Sequence, residues 1–270
     1  MNSDNKKPRR LPLDLEALAR FKRDYEFIVA KNEAQKQQVY ALRHEVFLQE
    51  FHYDMREDES HHFEQDEHDQ SAIHCLIRHR ASGLSAGCMR LVIPKEDTRS
   101  RLHSLPVEIQ GDAYFDHPNI APGSYPRHLV CEVSRLAIAK PFRNSSGKEE
   151  PLPLKANEYR FSQQETQTFP LLAIGLFLTT YSMVGLTERR HVFAMMEPRL
   201  PRLLALSGFN FTRISQPIEY HGTRHAYYID HQKAEQEMHD DLMPLYRDIK
   251  RTLASQLEKA LPRQATPSLS

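Results

Sequence analysis

Apolar and polar positions along the chain change period repeatedly, and each change marks an element. Residues 25–30 alternate as a strand, and Asn32 followed by Gln35 makes a capping box for a helix running through Phe47. An acidic, histidine-rich loop spans 53–69. Residues 73–79 and 86–93 predict two short strands that meet at Ala81-Ser82-Gly83, a hairpin. The stretch 94–128, rich in Pro, Gly, Asp and His, predicts an irregular excursion with at most one short helix near Leu102. Residues 129–139 form the most apolar strand, and 141–169 is polar and flexible. A helix over 170–188 then leads to a strand at 191–196 and a helix at 198–207 ended by Gly208. Strands follow at 211–220 and 224–229. Met238, Leu242, Leu245, Ile249, Leu253 and Leu257 recur at helical spacing and predict an amphipathic helix over 234–261.

Strand and helix signals interleave throughout, which predicts an α/β (α+β) fold: a central mixed sheet flanked by helices, with an extra C-terminal helix. We expect a flexible basic arm at 1–23, a single domain over 24–261 and a polar tail at 262–270. The 36 Lys and Arg balance 36 Asp and Glu, so no charge excess argues for a nucleic-acid partner. Three cysteines without a C-x-x-C pair point to a reducing, cytoplasmic setting. Residues 170–186 are apolar, but Thr179, Thr180, Tyr181 and Ser182 interrupt them, so a buried helix is expected and not a membrane span. The nine glycines do not cluster, which excludes the usual phosphate cradles.

The chemistry-bearing residues are charged groups inside apolar runs. Arg43 lies one turn before Phe47, Asp66 and Asp69 close the acidic loop, Arg90 ends a strand, and Glu132-Val-Ser134-Arg135 interrupts the most apolar strand. Alternation places Glu132 and Ser134 on one sheet face and Val133 and Arg135 on the other. A buried charge costs several kcal/mol unless it is paired or used. Two readings result: an ion network of these arginines with Asp66 and Asp69, or a working cleft. His61, His62, His68 and His74 fit no standard ligand frame, so no metal is expected. Cys131 neighbours an acid, not a histidine, and reads as a core residue.

The succession Arg43-x-x-x-Phe47, Tyr53, Glu64-x-Asp66-x-x-Asp69, Arg90-Leu91 and Glu132-x-Ser134-Arg135 resembles the acyl-homoserine-lactone autoinducer synthases. Met196-Glu-Pro-Arg-Leu200, Gly208-Phe209 and Glu219-Tyr-His-Gly-Thr-Arg224 are similar to N-acyl amino acid synthases and PEP-CTERM/exosortase-associated acyltransferases. The resemblance implies a GCN5-related N-acetyltransferase (GNAT) fold whose central strands splay to admit a thioester. It implies a fatty acyl donor on acyl carrier protein or coenzyme A, a small amine such as an amino acid as acceptor, and no bound cofactor. Glu132 would be the general base, and Ser134 would protonate the leaving thiolate. Arg43 or Arg135 would fork onto an acceptor carboxylate or serve the ion network, with Phe47, Tyr53, Asp66, Asp69 and Arg90 around them. Tyr53 stands where the autoinducer synthases carry Trp, and the chain has no Trp. Lactone synthesis from S-adenosylmethionine is therefore the second reading, and a non-catalytic acyl-chain or carrier-protein binding module the third.

Overall fold

The computed structural model describes residues 15–143 and 159–258. Helix α1, Leu15–Asp24, opens the described chain and buries Leu18 and Phe21, three residues apart on one face. Residues 15–23 therefore belong to the packed fold and not to a mobile arm, because their apolar positions find a partner surface distant in sequence. Residues 1–14 of the expected arm, and the expected tail at 262–270, lie outside the described residues.

Strand β1, Tyr25–Val29, leads to α2, Glu33–Arg43, whose Asn32 and Gln35 close the expected capping box. The helix widens to a π-helix over His44–Glu50, so Phe47 sits outside the α-helical register. Within the expected loop, β2 (Glu57–Asp58) and β3 (Phe63–Glu64) pair as a miniature hairpin. Strands β4, Ala72–His79, and β5, Ser85–Val92, form the larger hairpin, with Gly83 taking a positive φ of 71° in its turn.

The excursion after β5 contains a helix that its composition concealed, α3, Pro106–Gly111. Pro106 at its first position and the Glu108 carboxylate accepting from the Leu105 amide at 2.7 Å start it. Strand β6, Val130–Ile138, comes next. In the expected flexible stretch, residues 144–158 lie outside the described residues, and α4, Gln163–Thr166, is a single turn capped by Ser162.

Helix α5, Leu171–Leu186, is buried along most of its length. Its hydroxyls are satisfied locally, Thr179 donating to the Gly175 carbonyl and Ser182 to that of Leu178, both at 2.7 Å. No helix among the described residues is long and apolar enough to cross a membrane. Strand β7, His191–Met196, and α6, Arg199–Ala205, then end at Gly208, whose φ is 93°. The expected strand 211–220 reduces to two short pieces, β8 (Thr212–Arg213) and β9 (Ile218–Glu219), both paired to β10, Thr223–Asp230. The expected helix 234–261 is likewise broken. Helix α7, His231–Glu237, ends at Met238, and α8, Met243–Glu258, starts afresh after a 3₁₀ turn, with 259–261 outside the described residues.

The main sheet runs β1-β4-β5-β6-β7-β10-β8, with β9 added to β10, and every pairing is antiparallel except β6 with β7. Helix α8 covers α5 and the open edge at β1, where the Gln256 amide accepts from Val29 N at 2.9 Å and donates to the Phe27 carbonyl at 2.8 Å.

Helix α5 meets α1 so closely that a Cβ on Gly175 would lie 2.5 Å from Phe21 Cζ. Because Phe21 is itself fully buried, Gly175→Ala should destabilise the protein by about 1–3 kcal/mol, read as a lower melting temperature. An unchanged melt would mean that α1 does not dock on α5.

Two irregularities of β6 open the centre of the sheet. Cys88 pairs with Ala137 and Arg90 with Ser134, so Arg135 and Leu136 together oppose Met89, a β-bulge in which Arg135 has φ +56°. On its other side, β6 pairs with β7 only from Val130↔His191 to Glu132↔Phe193. Past Glu132 the two strands separate.

Candidate active site

Three arginines and three carboxylates close a ring beneath the sheet. Arg43 bonds Glu64 through Nε and forks onto Asp69 at 2.9 and 3.1 Å. Arg90 reaches Asp69 at 2.9 Å and Asp66 at 2.7 Å, and Arg135 bridges Asp66 at 2.9 Å back to Glu64 at 3.1 Å. Each cation thus lies between two anions and the ring's formal charge cancels. Arg43, Arg90 and Glu64 are completely buried, which only such pairing makes tolerable. Burial alone would raise the Asp69 carboxyl, but the Arg43 and Arg90 charges hold it far below the usual carboxylate range.

Arg135 enters this ring because of the bulge. Regular alternation would have turned it away from Ser134, but its left-handed backbone breaks the period and brings it to the acidic loop. Ser134 touches the ring from β6 by accepting the Arg90 Nε–H at 3.1 Å. Of the ring members, Glu64 carried no separate signal in the sequence beyond its place in the Glu-x-Asp-x-x-Asp run.

The gap between β6 and β7 opens a cavity of about 630 Å³. Its lining combines apolar Met89, Phe177, Leu203, Leu204 and Phe211 with polar Tyr53, Arg135, Glu197, His221 and Arg224; Phe177 packs on Phe211, and Tyr53 meets both His221 and Arg224. Glu132 and Ser134 lie on its wall. Glu132 is 2% exposed, and the Val107 amide at the start of α3 donates to its carboxylate at 2.7 Å. Burial, only partly offset by that hydrogen bond, pushes its carboxyl up to about 8. Such a group can accept a proton near neutral pH.

Phe47 and Tyr53 also reach the cavity. Their rings are nearly parallel at 6.2 Å, and His221 stacks on Tyr53 at 4.9 Å. Of five non-glycine residues with positive φ, three border this cavity or its wall: His52 before Tyr53, Arg135, and His221. Strain concentrated there marks a constrained site. The structure therefore separates the nominated residues into two groups. Arg43, Asp66, Asp69 and Arg90 brace the floor, whereas Phe47, Tyr53, Glu132, Ser134 and Arg135 reach the cavity. Sequence reasoning missed Glu197, His221 and Arg224 as cavity residues. The last two belong to the Glu219-Tyr-His-Gly-Thr-Arg224 segment, whose His221 and Gly222 take positive φ in the loop joining β9 to β10.

Other candidates disperse. His61 pairs with Asp58 at 2.9 Å, while His74 is buried with its nearest carboxylate, Asp69, 3.7 Å away. Burial pushes the Cys131 thiol far up, which keeps it protonated and poorly nucleophilic.

Residues 42–150 match the family model of the acetyltransferase (GNAT) domain. The chain has a GNAT fold. No curated protein sequence matches it. Among solved structures, the CoA-dependent acyl-homoserine lactone synthase BjaI is 18% identical with a TM-score of 0.52, over 84% of this chain and 89% of that one. The acyl-homoserine lactone synthase LasI gives 16% and 0.51, over 80% and 94%. FeeM, an N-acyl amino acid synthase from uncultured soil microbes, gives 12% and 0.48, over 79% and 94%. At such identities the likeness to the two lactone synthases is one of fold. Within this GNAT fold the ring, the bulge and the strand gap are built mainly from residues 43–135, inside the matched segment, whereas Glu197, His221 and Arg224 lie beyond it.

Proposed function

We propose that the protein is an N-acyltransferase that moves a long-chain fatty acyl group from an acyl carrier protein or coenzyme A thioester to the amine of an amino acid or similar small molecule. The carrying observation is the cavity at the strand gap, whose lining joins an apolar group of side chains and a polar one with the buried carboxyl of Glu132. The acyl chain would lie against Phe177, Leu204 and Phe211, and the thioester carbonyl beside β6. Because β6 loses its β7 partner after Glu132, backbone amides facing the gap are free of the ladder and can stabilise the tetrahedral oxyanion. The amine nitrogen attacks the thioester carbon, Glu132 takes its proton, and the C–S bond breaks. Ser134 already accepts from Arg90, so its own proton can pass to the leaving thiolate.

Positioning the amine beside the thioester supplies much of the rate, which asks little further of the protein. We place the enzyme in the cytoplasm, where these thioesters are made. Mass spectrometry of products tests the reading: purified protein with acyl-carrier-protein and acyl-CoA donors, twenty amino acids and S-adenosylmethionine should yield an N-acyl amino acid. A lactone with methylthioadenosine would instead make it an autoinducer synthase. Bound acyl chain or carrier protein without any product would make it a binding module.

A further inference from the structure

We propose that Arg224 reads a free carboxylate on the acceptor, so that the enzyme distinguishes amino acids from amines lacking that group. This rests on the reading of the cavity as an amine-acylation site. The cations lining the cavity are Arg135, Arg199 and Arg224. Arg135 is neutralised by Glu64 and Asp66. Arg199 is exposed on the short helix α6. Arg224 differs from both. Its nearest carboxylate is Glu197, a loose 3.6 Å contact to a side chain 54% exposed.

The Arg224 guanidinium is nevertheless held in place. Nε donates to the Tyr220 carbonyl at 2.7 Å, and Nη2 lies 3.4 Å from both the Tyr53 hydroxyl and the His221 carbonyl. Its carbon stands 5.8 Å from the Tyr53 ring centroid. Among the described residues Nη1 makes no hydrogen bond. A guanidinium fixed on one side, weakly neutralised and facing a cavity is pre-organised for a carboxylate. The hairpin turn enforces this placement: His221 and Gly222 both take positive φ, 51° and 93°, between β9 and β10. The His221 ring that results is partly buried and stacked on Tyr53, and it adds no anion to compete for the site.

The cavity lining thus offers a cation for a carboxylate and Glu132 for an amine. An α-amino acid carries both a carboxylate and an amine. The donor's pantetheine phosphate is the other anion that could meet Arg224, and kinetics separates the two. Wild type, Arg224→Gln and Arg224→Lys are given hexadecanoyl thioesters of coenzyme A and acyl carrier protein with an equimolar pool of amino acids and the matching amino-acid amides. Products are counted by mass spectrometry, and donor KM is measured separately.

Wild type should favour acids over amides, and Arg224→Gln should collapse that ratio at least tenfold, with donor KM and the melting temperature unchanged. Arg224→Lys should keep part of the preference. An unchanged acid-to-amide ratio in an active Arg224→Gln protein overturns this proposal alone, as does a rise confined to donor KM. Wild type that acylates neither acids nor amides overturns the acyltransferase reading and this proposal together.

Discussion

Glu132→Gln should lower turnover for N-acyl transfer by roughly 10²–10⁴-fold while leaving the protein folded. The substitution keeps the shape of the side chain and an oxygen to accept the Val107 amide, so the start of α3 stays in place. It removes only the ability to take a proton. Steady-state kinetics beside a melting curve separates the two effects. A turnover within a factor of three of wild type would dismiss Glu132 as the base and leave a solvent water or a second carboxylate in that role.

The pH profile sharpens this test. Burial raises the Glu132 carboxyl to about 8, and the base form is the charged one. Activity should therefore climb with pH through about 8 and fall close to tenfold per unit below it, a step absent from the residual activity of Glu132→Gln. Stability runs the other way. Between the ordinary carboxylate value of 4.5 and about 8 the folded protein holds a proton that the unfolded chain has released, so the stability tied to neutral Glu132 is lost as pH rises through that window. The glutamine variant should lack that loss. Catalysis and stability then pull on one side chain in opposite directions, as expected where a charge is buried for use.

Much of this site was legible because charged residues inside apolar runs demand a reason. Arg43, Arg90 and Glu132 each stood out that way, and each proved buried. The hairpin of β4 and β5, the apolar strand β6 and the helix α5 came equally from local periodicity. What escaped was non-local or broke a period. Helix α1 shows only Leu15, Leu18 and Phe21 at helical spacing in a basic stretch, and the surface that buries Phe21 is Gly175, more than 150 residues away. The bulge at Arg135 depends on a left-handed arginine, which no alternation pattern announces. Arg224 lies at the start of an ordinary-looking strand, and only the hairpin's fold-back brings it to Tyr53.

Arg43→Met should destabilise the protein by about 3–5 kcal/mol, because it strips Glu64 and Asp69 of a shared cation while both remain buried. For a chain of this size that is a fall in melting temperature on the order of 10 °C. The loss should depend on pH in a definite sense. In the wild type, the charges of Arg43 and Arg90 outweigh burial and hold Asp69 far below its ordinary 3.8, so its contribution is present above that value and fades as pH falls. Without Arg43 the Asp69 carboxyl titrates higher and less remains to be lost. The gap between variant and wild type should be widest at neutral pH and should narrow below about pH 4. Melts at pH 7 and pH 3 check this, and equal melting temperatures at neutral pH would refute the ring as a stabilising element. Because the ring also anchors Ser134 through Arg90 and carries Arg135 into the cavity wall, the variant's activity at low temperature should fall too, through geometry and not through loss of a reacting group. Cooling the assay restores the fold without restoring Arg43, so whatever deficit persists there measures how far the floor of the site positions its wall.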